Sequence, residues 1–152
     1  MYGIWNAILA LQFPVAQGYI IRPQDRHTSQ SGEQGFSDLH VFQYRNNATN
    51  ADKFLIVQCK RAGTETQNAV WEQAVDQLSR YLSATHGKRR PAARTPVYGI
   101  AAVGRYVRVY KYNDVNQMVL NWVPKGMRWK MWNLKDHPQQ IQRILDHILN
   151  NH

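Results

Sequence analysis

The segment Lys53–Arg61, KFLIVQCKR, sets the tightest limit on what this chain can fold into. It opens with a continuous run of β-formers, Phe54 to Val57, without polar alternation. Such a run suits a central strand covered on both faces. Covering both faces takes layers above and below a sheet, so an α/β domain is expected.

The rest of the chain fits that expectation. Residues Tyr2–Leu11 read as a first helix, ending before Pro14, with Ile4, Ile8, Leu9 and Leu11 as core candidates. Gly18–Arg22 reads as a short strand, and the polar stretch Pro23–Gly35 as a loop. Asp38–Arg45 alternates apolar and polar residues at period two, a strand signal, and Asn46–Asp52 has turn chemistry. After the central strand, Thr64 and Gln67 have capping-box spacing. Val70, Trp71, Ala74, Val75, Leu78, Tyr81 and Leu82 then mark one face of a long helix that ends at Gly87. Pro96–Val103 predicts a buried strand whose small residues admit a close neighbour, and Arg105–Tyr112 a half-exposed one. A Trp-rich basic stretch, Asn121–Lys135, leads to a last helix with Ile141, Ile144, Leu145 and Ile148 on one side and Asp136 as its cap.

At 152 residues, 43% hydrophobic and 19% charged, the chain is a folded domain and not a disordered one. One cysteine, Cys59, excludes an internal disulfide and a four-cysteine zinc site. No stretch reaches the ~20 apolar residues of a membrane span. The apolar N-terminus lacks the basic start of a signal peptide, so a cytoplasmic or nuclear address is expected over secretion; a single cysteine is compatible with either.

The formal charge is +9, and it is unevenly placed. No acid lies between Asp76 and Asp114, whereas eight basic residues do: Arg80, Lys88, Arg89, Arg90, Arg94, Arg105, Arg108 and Lys111. This reads either as a phosphate-binding field or as a solvated loop and a charged strand edge. Trp122, Trp129 and Trp132, set among Lys125, Arg128, Lys130 and Lys135, suit stacking on unpaired bases or, more commonly, core or interface packing.

Gln58 and Lys60 interrupt the end of the buried strand and share one face, with Cys59 on the other. If Tyr44 pairs with Phe54 across the turn, Asp38 lies opposite Lys60 and His40 opposite Gln58. A hard cation such as Mg²⁺ takes oxygen ligands. Asp38 offers one, the Gln58 amide a second and the main-chain carbonyl of Cys59 a third. Lys60 can hold or deprotonate the attacking water and neutralise phosphate charge. The plainer alternative is an exposed Asp–Lys cross-strand pair, but burying an ammonium without a purpose is costly.

An acid opening one strand and (D/E/Q)-x-K closing the next resembles the PD-(D/E)XK nuclease superfamily. Ser37-Asp38 stands in the place of PD, and Gln58-Cys59-Lys60 in the place of E-x-K. Phe54–Arg61 is similar to the Mrr-type restriction endonuclease branch, as is Gly32-Glu33-Gln34-Gly35 before Asp38. The whole chain also resembles a group of small fungal proteins of this fold. The resemblance covers about residues 1–112 most directly. It implies a restriction-endonuclease-like three-layer α/β domain over residues 1–152, a central mixed β-sheet flanked by helices, with a Trp-rich tail and C-terminal helix at 113–152.

By this resemblance Asp38, Gln58 and Lys60 are catalytic. Asp38, Gln58 and the Cys59 carbonyl bind Mg²⁺ or Mn²⁺, and Glu33 is the one further acid nearby. The long helix borders the site, where Gln77 and Arg80, with Lys88, Arg89, Arg90 and Arg94, would meet nucleic acid, DNA before RNA. The chain departs from the family in having neutral Gln58 and no glutamate in its first helix, which offers only Asn6 and Gln12. Three functions follow: a metal-dependent nuclease; an inactive module of the same fold that binds nucleic acid; or a protein-interaction domain, a homodimer included, that uses the Trp-rich tail. No membrane partner is expected.

Overall fold

The computed structural model describes residues 2–28, 34–45 and 51–152; for residues 24–28 and 34–38 it describes the backbone alone. The elements run α1 (Tyr2–Gln12), β1 (Tyr19–Thr28), β2 (Gln34–Gln43), β3 (Asp52–Lys60), α2 (Asn68–His86), β4 (Tyr98–Val103), β5 (Tyr106–Asn113), β6 (Met118–Asn121), β7 (Trp132–Asn133) and α3 (Pro138–Asn150). One seven-stranded mixed sheet has the order β1-β2-β3-β4-β5-β6, with β7 also on β5. Among the described residues only the β3–β4 pairing is parallel, and α2 makes the crossover between these strands. No helix among the described residues is long and apolar enough to cross a membrane.

Three layers result, as the buried run predicts. Phe54 to Gln58 are all buried. Leu55 and Val57 face α1 and α3, in a core with Trp5, Leu9, Ile144 and Ile148. Ile56 faces α2, in a second core with Trp71, Ala74, Leu78 and Leu82. The small residues of β4 let α2 sit low on the sheet: a Cβ at Gly99 would meet Leu78 Cδ1 at 3.2 Å. Cys59, partly buried, packs on the α1–α3 side, away from Gln58 and Lys60.

Several expectations need correction. In α1 the buried pair is Trp5 and Leu9, one turn apart, while Ile4 and Leu11 are 52% and 85% exposed. The indole carries the larger apolar area and claims the inward face. Thr64 is not the cap of α2: its Oγ donates to the carbonyl of Arg61, and Gln67 precedes the helix without a side-chain cap bond. His137, not Asp136, occupies the cap position of α3, with Pro138 at the first turn. The loop expected over Pro23–Gly35 is largely strand, since β1 reaches Thr28 and β2 begins at Gln34. Pro23 is tolerated because β1 is an edge strand, where a missing N–H need not break a ladder bond. Residues beyond 112 complete the same sheet: β6 and β7 both pair with β5, and Trp132 is buried in the α1–α3 core.

Candidate active site

The end of β3 brings together the residues that matter most. Gln58 is 4% exposed, and Lys60, two residues on, is partly buried. Both extend from the sheet face that α2 covers, by strand alternation from Ile56. Helix α2 supplies Gln77, whose Oε1 accepts a 2.5 Å hydrogen bond from Lys60 Nζ. That bond aims a long, flexible ammonium and neutralises none of its charge, because its acceptor is an amide.

One turn further along α2, Tyr81 meets His40 of β2. Its hydroxyl lies 2.9 Å from His40 Nδ1, and the two rings stand edge to face at 4.4 Å. Both residues are buried, His40 fully. The imidazole expected at an open patch is therefore part of the joint between α2 and the sheet. Its place in the alternating segment Asp38–Arg45 signalled a face, but not that a tyrosine waits above it.

The β2–β3 register also differs from the expected one. Leu39 pairs with Val57, His40 with Ile56 and Val41 with Leu55, and the register shifts between Val41 and Phe42. The pairing of His40 with Gln58 and of Tyr44 with Phe54 is thus incorrect. The physical reason is a bulge: Val41 faces Leu55 and Phe42 faces Lys53, so Phe54 is the extra residue, and Tyr44 N–H instead donates to the carbonyl of Gly18 at 2.9 Å, on the β1 side. Over Leu39–Val41 the displacement is two residues, so these residues keep their faces; past the bulge, at Phe42 and Gln43, it is three. Continuing the ladder by one residue brings position 38 level with Gln58 rather than Lys60. The Asp38 side chain, Gly32, Glu33 and most of the Asn46–Asp52 turn lie outside the described residues, as does the rest of the Gly32–Gly35 approach beyond its backbone. Among the described residues no three His, Cys, Asp or Glu side chains converge as a metal-binding group.

The basic residues divide into two regions. Arg80 is exposed on α2, one turn from Gln77. Lys88, Arg89, Arg90 and Arg94 follow the other end of α2, where His86 Nε2 meets the carbonyl of Lys53 at 3.1 Å. Lys53 and Lys60 are seven residues apart on one strand, about 23 Å at ~3.3 Å per residue. The Lys88–Arg94 segment is therefore at the far end of the sheet from Lys60. Within it, Arg89 grips Asp114 with two bonds of 2.7 and 2.9 Å, and Arg94 stands 3.8 Å from the same carboxylate. The Arg89 bond holds the Asp114 carboxyl below its ordinary range. Lys88, Arg90 and Arg94 remain exposed.

The tryptophans divide likewise. Trp132 is buried, and Trp122 packs between Tyr98 and His147. Trp129 is 36% exposed, and its indole N–H donates to the carbonyl of Val109. Helix α1 offers no acid near the site: Asn6 is exposed, and Gln12 is bonded to Asp146 and Gln142 of α3. No family model, curated protein or solved structure matches the chain.

Proposed function

We propose that this chain is a metal-dependent nuclease that hydrolyses phosphodiester bonds, DNA before RNA, at the end of β3. The observation that supports this most is the partly buried Lys60 ammonium, aimed by Gln77 beside the buried amide of Gln58. A partly buried ammonium needs hydrogen-bond acceptors, and one held at a strand end beside a second polar side chain stands where it can meet phosphate or water.

The donor set suits a hard cation. Asp38, the Gln58 amide oxygen and the Cys59 main-chain carbonyl are all oxygen donors, the class that Mg²⁺ and Mn²⁺ take, with water and phosphate oxygens completing the shell. When bound, the ion would polarise the phosphoryl group and acidify water. Lys60 would hold the attacking water and offset the charge gathering on phosphate, and Gln77 would fix the direction of Lys60. Arg80 would reach the phosphate backbone from the same helix.

Only one ligand of that set, Asp38, carries charge, and α1 contributes no acid. This favours, as a second reading, a module of the same fold that binds nucleic acid without turnover. Gln58→Glu decides between them, because it adds a charged oxygen at nearly constant size. Metal affinity by calorimetry and cleavage of single- and double-stranded substrates should both rise, and Lys60→Ala should abolish cleavage while binding survives. If neither wild type nor Gln58→Glu cuts any substrate with either metal, the binding module is the better account.

A further inference from the structure

On the other flank of α2 lies a cavity of about 420 Å³ with the wrong chemistry for a gap in packing. Its walls include Trp71, Glu72 and Asp76 of α2, Arg108 of β5, Asn121 of β6 and Trp129. Arg108 belongs to the same cross-strand row as Gln58, through Ala101. Its guanidinium carbon sits 4.3 Å from the centre of the Trp71 ring and 5.8 Å from that of Trp129. The guanidinium also interacts with the Tyr110 hydroxyl, but its Nε is buried and has no hydrogen-bond partner. Glu72 and Asp76, exposed and one helical turn apart, form no ion pair with it among the described residues. A guanidinium, two indoles and two carboxylates thus share one opening. Burying a donor such as the Arg108 Nε without a partner costs stability, which a ligand would return.

We propose that this cavity binds a guanine base. The volume is within the range of small-ligand sites, and aromatic walls suit a planar heterocycle. The polar groups select which one. Arginine donates in a planar fork to the paired acceptors O6 and N7 of guanine. A carboxylate accepts from the adjacent N1–H and amino group, two donors that only guanine among the common bases presents side by side. Adenine offers a ring acceptor there, which a carboxylate repels. The site is independent of the metal chemistry at Lys60, from which α2 separates it. Its source is a free guanine nucleotide or an unpaired guanine in a strand.

Calorimetric titration of the full chain with GMP, AMP and CMP tests this. GMP should bind at least about tenfold tighter than AMP or CMP, the discrimination that one bidentate pair supplies. Arg108→Gln should lose about that factor for GMP. Asp76→Asn combined with Glu72→Gln, both exposed positions that leave the fold intact, should erase the preference of GMP over AMP. A guanine-containing single-stranded hexanucleotide that binds about tenfold tighter than GMP assigns the strand as source; equal affinity assigns the free nucleotide. Equal binding of GMP and AMP to wild type, no binding of guanine in either form, or GMP binding unchanged in the Asp76–Glu72 double variant, overturns the proposal. Lys60→Ala should leave GMP affinity unchanged whether or not the chain proves to be a nuclease.

Discussion

Replacing Tyr81 by phenylalanine isolates the joint that sets α2 on the sheet. The ring is kept, so the edge-to-face contact with His40 at 4.4 Å and the burial of both residues survive. What is removed is one oxygen, 2.9 Å from His40 Nδ1. A neutral hydrogen bond contributes a net ~1 kcal/mol, and a buried polar atom deprived of a partner costs about 1–3 kcal/mol. His40 is fully buried, so a cost in the middle of that range, about 2 kcal/mol, is expected. With a urea m-value of about 2 kcal/mol/M, the midpoint should fall by about 1 M without a change in slope. Tryptophan fluorescence in urea measures this directly. His40→Leu in the Tyr81→Phe background should then cost less than the two single changes added together, because the two side chains are in contact and the hydroxyl–imidazole bond is lost only once. A Tyr81→Phe midpoint within about 0.2 M of wild type would refute the reasoning. Since Gln77 is one turn from Tyr81, this joint also holds the partner of Lys60 in place.

Two further outcomes follow from charge. His86 and His152 both titrate below the usual 6.5, chiefly because burial disfavours their charged forms, with Arg89 adding to the effect at His86 and Arg45 at His152. The unfolded chain takes up protons that the folded one resists, so their contribution is complete above pH 6.5 and is lost as pH falls from there through the lower folded values. Urea midpoints should be level above neutrality and decline as pH falls below 6.5, and His86→Gln should reduce that decline. In the basic segment, Lys88→Ala with Arg90→Ala should reduce the slope of log K against log salt by about 0.7–0.9 for each phosphate left without its cation. Arg89→Ala should instead lower stability and leave the slope alone, because its guanidinium is committed to Asp114; equal slopes for wild type and the Lys88–Arg90 double variant would return that segment to a solvated loop.

The sequence alone determined the layered plan. A run such as Phe54–Val57 must be covered on both faces, and the spacing of Trp71, Ala74, Leu78 and Leu82, like that of Ile141, Ile144, Leu145 and Ile148, marks which helical faces do the covering. It also assigned Gln58 and Lys60 to one face and Cys59 to the other, because alternation along a strand is a local property. What depends on distant partners was decided only by the fold. The register of β2 on β3 turned on the bulge that leaves Phe54 between the Val41–Leu55 and Phe42–Lys53 pairs, which no turn motif encodes. The commitment of Arg89 to Asp114 and the distance of its loop from Lys60 depend on the direction of α2 over the sheet. The burial of Trp132 required β7 to pair with β5, and the choice of Trp5 over Ile4 as the inward face of α1 required a core to pack against. Periodicity gives the face of an element. Only tertiary packing determines that Arg89 grips a carboxylate, that Lys60 Nζ reaches the Gln77 amide and that the Arg108 guanidinium lies against two indoles.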